Sequence, residues 1–236
     1  MTRKAMVIML CAVVPLSLFG LLMPRKPTPE EQVAITKYSQ HINKMLDQFR
    51  GPAWEEKMDF ALADPMVNPS PNRPLELTEI FQRTYNLRKT SAHYKTTITP
   101  LIAKMEKIKD QGDKQLQHAR IEDLLHVQIR VNCNVLVSTL HPGPVKKNAI
   151  LVPGSYSAYI DEDNPYGYGA SYTILFGNAK SSRWDPAAGY YYYKFIHPSN
   201  SPNIENIEIR IFGADDRIKE LLKKIDWKQV TQALTP

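Results

Sequence analysis

The stretch His126–Ser138, HVQIRVNCNVLVS, changes the period of the chain. Val127, Ile129, Val131, Cys133, Val135 and Val137 share one parity, and Gln128, Arg130, Asn132, Asn134, Leu136 and Ser138 take the other. A two-residue repeat places one set on each face of a half-buried strand. Beyond it, His141-Pro142-Gly143-Pro144 ends the strand and opens a hairpin connection. Ala149–Ile160, Ser171–Phe176, Tyr190–Ile196 and Ile204–Phe212 are further strand segments, separated by Gly, Pro, Asn and Asp clusters. Short linkers with no helix between them predict mostly antiparallel pairing. Asp215 or Asp216 caps a last helix that lays Ile218, Leu221, Leu222 and Ile225 on the sheet.

Before His126 the apolar residues recur at helical spacing. Thr28-Pro29-Glu30-Glu31 offers a threonine cap, a proline at the first helical position and a glutamate at the third. Val33, Tyr38, Ile42, Met45 and Phe49 follow as one face, and Gly51-Pro52 breaks the helix. Trp54, Met58 and Leu62 predict a second short helix, and Leu77, Ile80, Phe81 and Tyr85 a third. Between them the proline-dense segment 65–74 is extended or a loop. Thr99-Pro100 starts a helix with Leu101, Met105 and Ile108 inward and Gly112 as its stop. Asp113 caps another, carrying Leu116, Ile121 and Leu124.

The first residues carry a different signal. Arg3 and Lys4 precede an apolar run from Ala5 to Met23, closed by Pro24, Arg25 and Lys26. A spanning helix needs about 20 apolar residues and the core of a cleaved signal about 7–15. This run is nearer the first. No pair of small residues marks a cut, since Leu18 stands two places before Gly20. An uncleaved anchor is therefore preferred to a cleaved signal. Cys11 lies mid-run after Met9 and Leu10, where a small apolar residue fits better than a lipidation site. The short charged tail favours a cytoplasmic N-terminus and a body outside the cytoplasm. With a cleaved leader the body would instead be free in a periplasm.

The expected architecture is α+β. Residues 1–23 form a transmembrane signal anchor and 24–125 a helical region containing the 65–74 loop. Residues 126–236 form an antiparallel sheet of about five strands with a C-terminal helix, unless 24–236 is a single domain. The chain has 236 residues, 43% hydrophobic and 23% charged, as in ordinary globular proteins. Its net charge of +6 is spread over both halves: 18 basic against 14 acidic residues before His126, and 12 against 10 after. Neither half is basic enough for a nucleic-acid reading. The two cysteines, Cys11 and Cys133, provide no Cys-based zinc site, and no internal disulfide is expected.

No catalytic residues, metal ligands or cofactor site are assigned. The histidines contain no H-E-x-x-H, although His118 and Glu122 would share a helix face if one helix ran on to His126. The acidic run Asp161-Glu162-Asp163-Asn164 puts Tyr166 where a calcium loop needs glycine. Ser155 and Ser157 lack a nucleophile elbow, and phosphate-binding glycine loops are missing. Tyrosines crowd the second half, culminating in Tyr190–Tyr193. One face of such a strand shows its rings to solvent, a covering helix or a partner. The candidate binding residues are Tyr166, Tyr168, Arg183, Trp184, Tyr191 and Tyr193. The function expected is a membrane-anchored extracytoplasmic binding or structural protein. Its partners are the lipid bilayer, through residues 5–23, and a protein of the cell envelope. The alternative is an envelope hydrolase acting on cell-wall or carbohydrate material.

Overall fold

The computed structural model describes residues 25–57, 67, 74–75, 81–135, 137–139, 145–147, 152–161, 170–178, 182–185, 190–197 and 201–235. Helix α1 spans Pro29–Asp47, followed by strands β1 (Trp54–Lys57) and β2 (Phe81–Leu87). A π-helical turn, Tyr94–Ile98, runs into α2 (Thr99–Glu106), and α3 covers Gln111–Leu125. Then come β3 (His126–Cys133), β4 (Val137–Thr139), β5 (Val145–Lys147), β6 (Ser155–Asp161), β7 (Ala170–Gly177), β8 (Ser182–Asp185), β9 (Tyr190–Tyr193) and β10 (Asn206–Gly213). Helices α4 (Asp215–Leu222) and α5 (Lys228–Ala233) close the chain.

The mixed helix-and-sheet class and a C-terminal helix are as expected, but Ala214 rather than Asp215 or Asp216 is its cap, Ile225 falls beyond its end at Leu222 and α5 follows. The sheets are also more extensive. Among the described residues, seven strands form one antiparallel sheet in the order β1-β2-β3-β10-β7-β6-β5. A second sheet has the order β4-β9-β8. The helical reading of Leu77–Tyr85 is corrected: Phe81–Leu87 is a strand paired with β3, Phe81 opposite Val131 and Tyr85 opposite Val127. Phe81 and Tyr85, four apart, satisfy helical and strand spacing alike. Arg83 between them also faces the helix-covered side, where it meets Asn43 at 3.0 Å and Glu56 at 2.9 Å. The helix expected from Trp54 is likewise an edge strand, while Met58, Leu62, Leu77 and Ile80 lie outside the described residues.

Helix α1 starts as its capping box demands, with Thr28 and Glu31 exchanging hydrogen bonds. Its buried face is Ile35, Tyr38, Ile42, Met45 and Leu46, and Val33 is exposed instead. Ile207, Ile209 and Ile211 of β10 are buried under the helices beside Val127, Ile129 and Val131 of β3. Fully burying one such side chain is worth about 1.5–3 kcal/mol. Trp227, just before α5, stacks on Phe176 with ring centroids 5.7 Å apart. Thr99 is not an N-cap: its amide closes the π-helical turn on the Tyr94 carbonyl, and α2 continues directly from that turn through Pro100, a residue with no N–H to donate. The cap of α3 is Asp110, which accepts from the Asp113 amide, and Gly112 lies inside the first turn.

Strand β3 stops five residues before the alternation does. Asn134 has φ +51°, a left-handed conformation that asparagine tolerates better than most residues, and β4 departs to the second sheet. Its side chain is buried and fully used. The amide nitrogen donates to the Leu75 and Asn203 carbonyls at 2.7 and 2.8 Å, and the amide oxygen accepts from the Glu205 amide at 2.8 Å. Asn206 adds a reciprocal pair with the Val135 backbone at 2.8 and 3.1 Å. These two asparagines form a latch that fixes the end of the main sheet and the start of the crossing segment.

Candidate functional site

The main sheet has two ends, marked by His126 and Cys133 of β3. Seven steps of about 3.3 Å separate them by roughly 23 Å. Helix α1 runs opposite to β3: Tyr38 meets Phe81 near the Cys133 end, and Phe49 stacks on Tyr85 near the His126 end. Residues before α1 therefore lie at the Cys133 end.

At the His126 end a cleft of about 550 Å³ is lined by Glu55, Asn86, Arg88, Lys89, Tyr94 and His126, among others. The Arg88-Lys89-Thr90 turn is set by hydrogen bonds from the Arg88 amide to the Ala53 carbonyl and from the Ser91 amide to the Arg88 carbonyl, at 2.8 and 2.9 Å. Ser91 Oγ then accepts from the Tyr94 amide at 3.1 Å, anchoring the helix that follows. His126 Nδ1 lies 2.6 Å from Asn86 Oδ1, and Nε2 lies 2.8 Å from Glu122 Oε2. With both ring nitrogens occupied, the imidazole is a fixed wall of the cleft. Arg88 and Lys89 supply exposed cationic donors, and Glu55 pairs only loosely with Arg88 at 3.9 Å. Two such cations have the chemistry to bind an anionic group by charge-assisted hydrogen bonding.

The helix does end at Leu125, so His118, Glu122 and His126 do not share one continuous helix. Glu122 nevertheless faces both rings, with His118 Nε2 at 3.9 Å. No group of three or more metal-ligating side chains occurs among the described residues. Behind the cleft, Arg217 of α4 lies against the His93 ring. Partial burial, reinforced by the Arg217 charge, lowers the His93 pKa from its ordinary value.

The tyrosine run forms the middle strand of the second sheet. Register places Arg183 opposite Tyr192 and Trp184 opposite Tyr191. Tyr193 points inward, where it packs with Leu175, Tyr156 and Phe195. Tyr192 is the outward ring, 41% exposed, and Arg183 is exposed as well. The outward parity continues past β9 through exposed Lys194 to Ile196, which is 68% exposed. The side chains of Trp184 and Tyr191, and all of Tyr166 and Tyr168, lie outside what the structure describes. So do His141 and residues 162–164 of the acidic run.

A hydrolase of the alternative kind would pair Ser155 or Ser157 with His197, and among the described contacts neither serine is hydrogen-bonded to that ring. Ser155 Oγ donates to the Val152 carbonyl at 2.8 Å, and His197 Nδ1 donates to Glu205 Oε1 at 3.0 Å. Glu205 also accepts from the Ile196 and His197 amides, each at 2.7 Å. The asparagine latch thus extends through Glu205 to the segment carrying Ile196. Compared with protein-family models, curated proteins and solved structures, the chain matches none.

Proposed function

We propose that this protein is a membrane-anchored extracytoplasmic binding protein that engages an acidic partner in the cell envelope. Residues 5–23 span the bilayer, with the N-terminus inside and the body outside the cytoplasm. Among the described residues no helix is long and apolar enough to cross a membrane, and residues 1–24 lie outside them. The anchoring part therefore stands on the leader sequence. The binding part rests on one observation: the cleft bearing Arg88 and Lys89 lies at the sheet end opposite the one the leader enters. An anchored body would hold that cleft away from the bilayer, where an envelope partner can reach it. The hydrolase alternative draws no support from the cleft, because both ring nitrogens of His126 are engaged by Asn86 and Glu122 and no nucleophile stands beside them among the described lining residues.

A photocrosslinking residue placed at Lys89 tests the reading in native membranes. It should give a discrete adduct, abolished when Arg88→Glu reverses the neighbouring charge. A probe at Val33, exposed on α1, should give none. Equal labelling from positions 89 and 33 would remove the cleft from the binding function.

A further inference from the structure

We infer that the outward stripe Tyr192–Lys194–Ile196, with Arg183 beside it, is a membrane-contact surface that rests on anionic lipid headgroups. This deepens the anchored reading proposed above and depends on it.

The first ground is where the leader enters the body. Its apolar run ends at Met23, two residues before Arg25. Arg25 is strapped to the body at once: its backbone exchanges hydrogen bonds with Val67 at 3.0 and 2.9 Å. Its guanidinium makes two 2.6 Å bonds to the carboxylate of Glu31, a nearly inaccessible side chain. These bonds hold the Glu31 carboxyl below its usual range, so the clasp persists into more acidic solution than an ordinary glutamate pair would. There is no room for a flexible tether between the bilayer and the body.

The second ground is that the stripe occupies the same end of the molecule. Ile196 is bonded to Glu205, Glu205 to Asn134, and Asn134 follows the last residue of β3 at the Cys133 end. The leader junction and the stripe thus lie at one pole, on opposite faces of the sheet. The third ground is chemistry. Tyrosine, an exposed isoleucine and the long cations of Arg183 and Lys194 are side chains that suit the headgroup boundary. The two cations complement anionic lipids, and Lys26 adds a third exposed positive charge beside the leader.

The test uses the full chain with Cys11→Ser, leaving Cys133 buried. Ile196→Cys or Lys89→Cys carries a fluorophore, and the protein is placed in nanodiscs containing headgroup spin-labelled lipid. In discs of phosphatidylcholine with phosphatidylglycerol, quenching at position 196 should be several-fold greater than at position 89. Pairing Ile196→Cys with Arg183→Glu and Lys194→Glu, or omitting phosphatidylglycerol, should reduce it severalfold. Those charge reversals alter exposed residues, so unchanged melting serves as the folding control. Equal quenching at 196 and 89 in disc-bound protein overturns the proposal alone, as does protection of position 196 only after envelope proteins are added. A chain that fails to enter the discs overturns the anchored reading, and the proposal with it.

Discussion

Replacing Asn134 by alanine is expected to lower stability by about 3–5 kcal/mol, because its buried side chain serves three backbone groups at once, one buried and two half-buried, and its backbone is left-handed. The Leu75 and Asn203 carbonyls would lose their donor, and the Glu205 amide its acceptor. Each buried polar group left unpaired costs about 1–3 kcal/mol. Alanine also tolerates the left-handed backbone at φ +51° poorly, a penalty of about 1–2 kcal/mol. For a body of this size the melting temperature should fall by on the order of 10 °C. Asn134→Gly separates the two causes. It relieves the backbone but restores no hydrogen bond, so it should recover only about 1 kcal/mol. Melting of Asn134→Ala within about 1 kcal/mol of the parent would mean that the latch does not hold the sheet end.

Gly177→Ala should be comparably damaging, by about 3–5 kcal/mol, through backbone strain and collision. Gly177 has φ +125°, and a Cβ there would lie 2.3 Å from the Glu205 carbonyl oxygen and 3.1 Å from Asn206 Cα. Both obstacles are backbone, in the segment that Asn134 holds, so neither can swing aside. Gly154→Ala is the internal comparison. Its φ is +80°, but the close neighbour is Thr231 Cγ2 at 2.6 Å, a side-chain atom of a short terminal helix rather than the backbone of the sheet. It should cost about 1–2 kcal/mol. Because Gly177 and Asn134 act on the same residues, the double variant should lose less than the sum of the singles. Strict additivity in chemical denaturation would contradict a shared latch.

The strand from His126 was legible because its buried parity is uniformly apolar and its other parity entirely polar through Cys133. Its end was not, since the apolar alternation continues through Val135 and Val137 while the backbone turns at Asn134. The start of α1 was plain from Thr28-Pro29-Glu30-Glu31, where local chemistry alone determines the cap. Strand β2 was hidden by Arg83, a charge on the helix-covered face whose partners Asn43 and Glu56 come from remote parts of the chain. Helix α5 gave little periodic signal in six residues, and its place follows from Trp227 and Val230 packing in the core.

The candidate surfaces were legible to a lesser degree. Four consecutive tyrosines carry no parity cue, so the sequence marks the strand without saying which rings face out. The inward packing of Tyr193 against Leu175 decides it, leaving Tyr192 outside. The Arg88–Lys89 cleft has no motif at all. Its residues come together because Asn86 pairs with His126 across β2 and β3 while Ala53 holds the following turn.

Everything functional depends on whether the leader stays in the bilayer. Carbonate extraction of membranes carrying the full chain, followed by intact-mass measurement, addresses that directly. An uncleaved anchor keeps the protein in the membrane pellet with the residues from Ala5 to Met23 still present in its mass. Recovery of a soluble form beginning after residue 20 or so would contradict it.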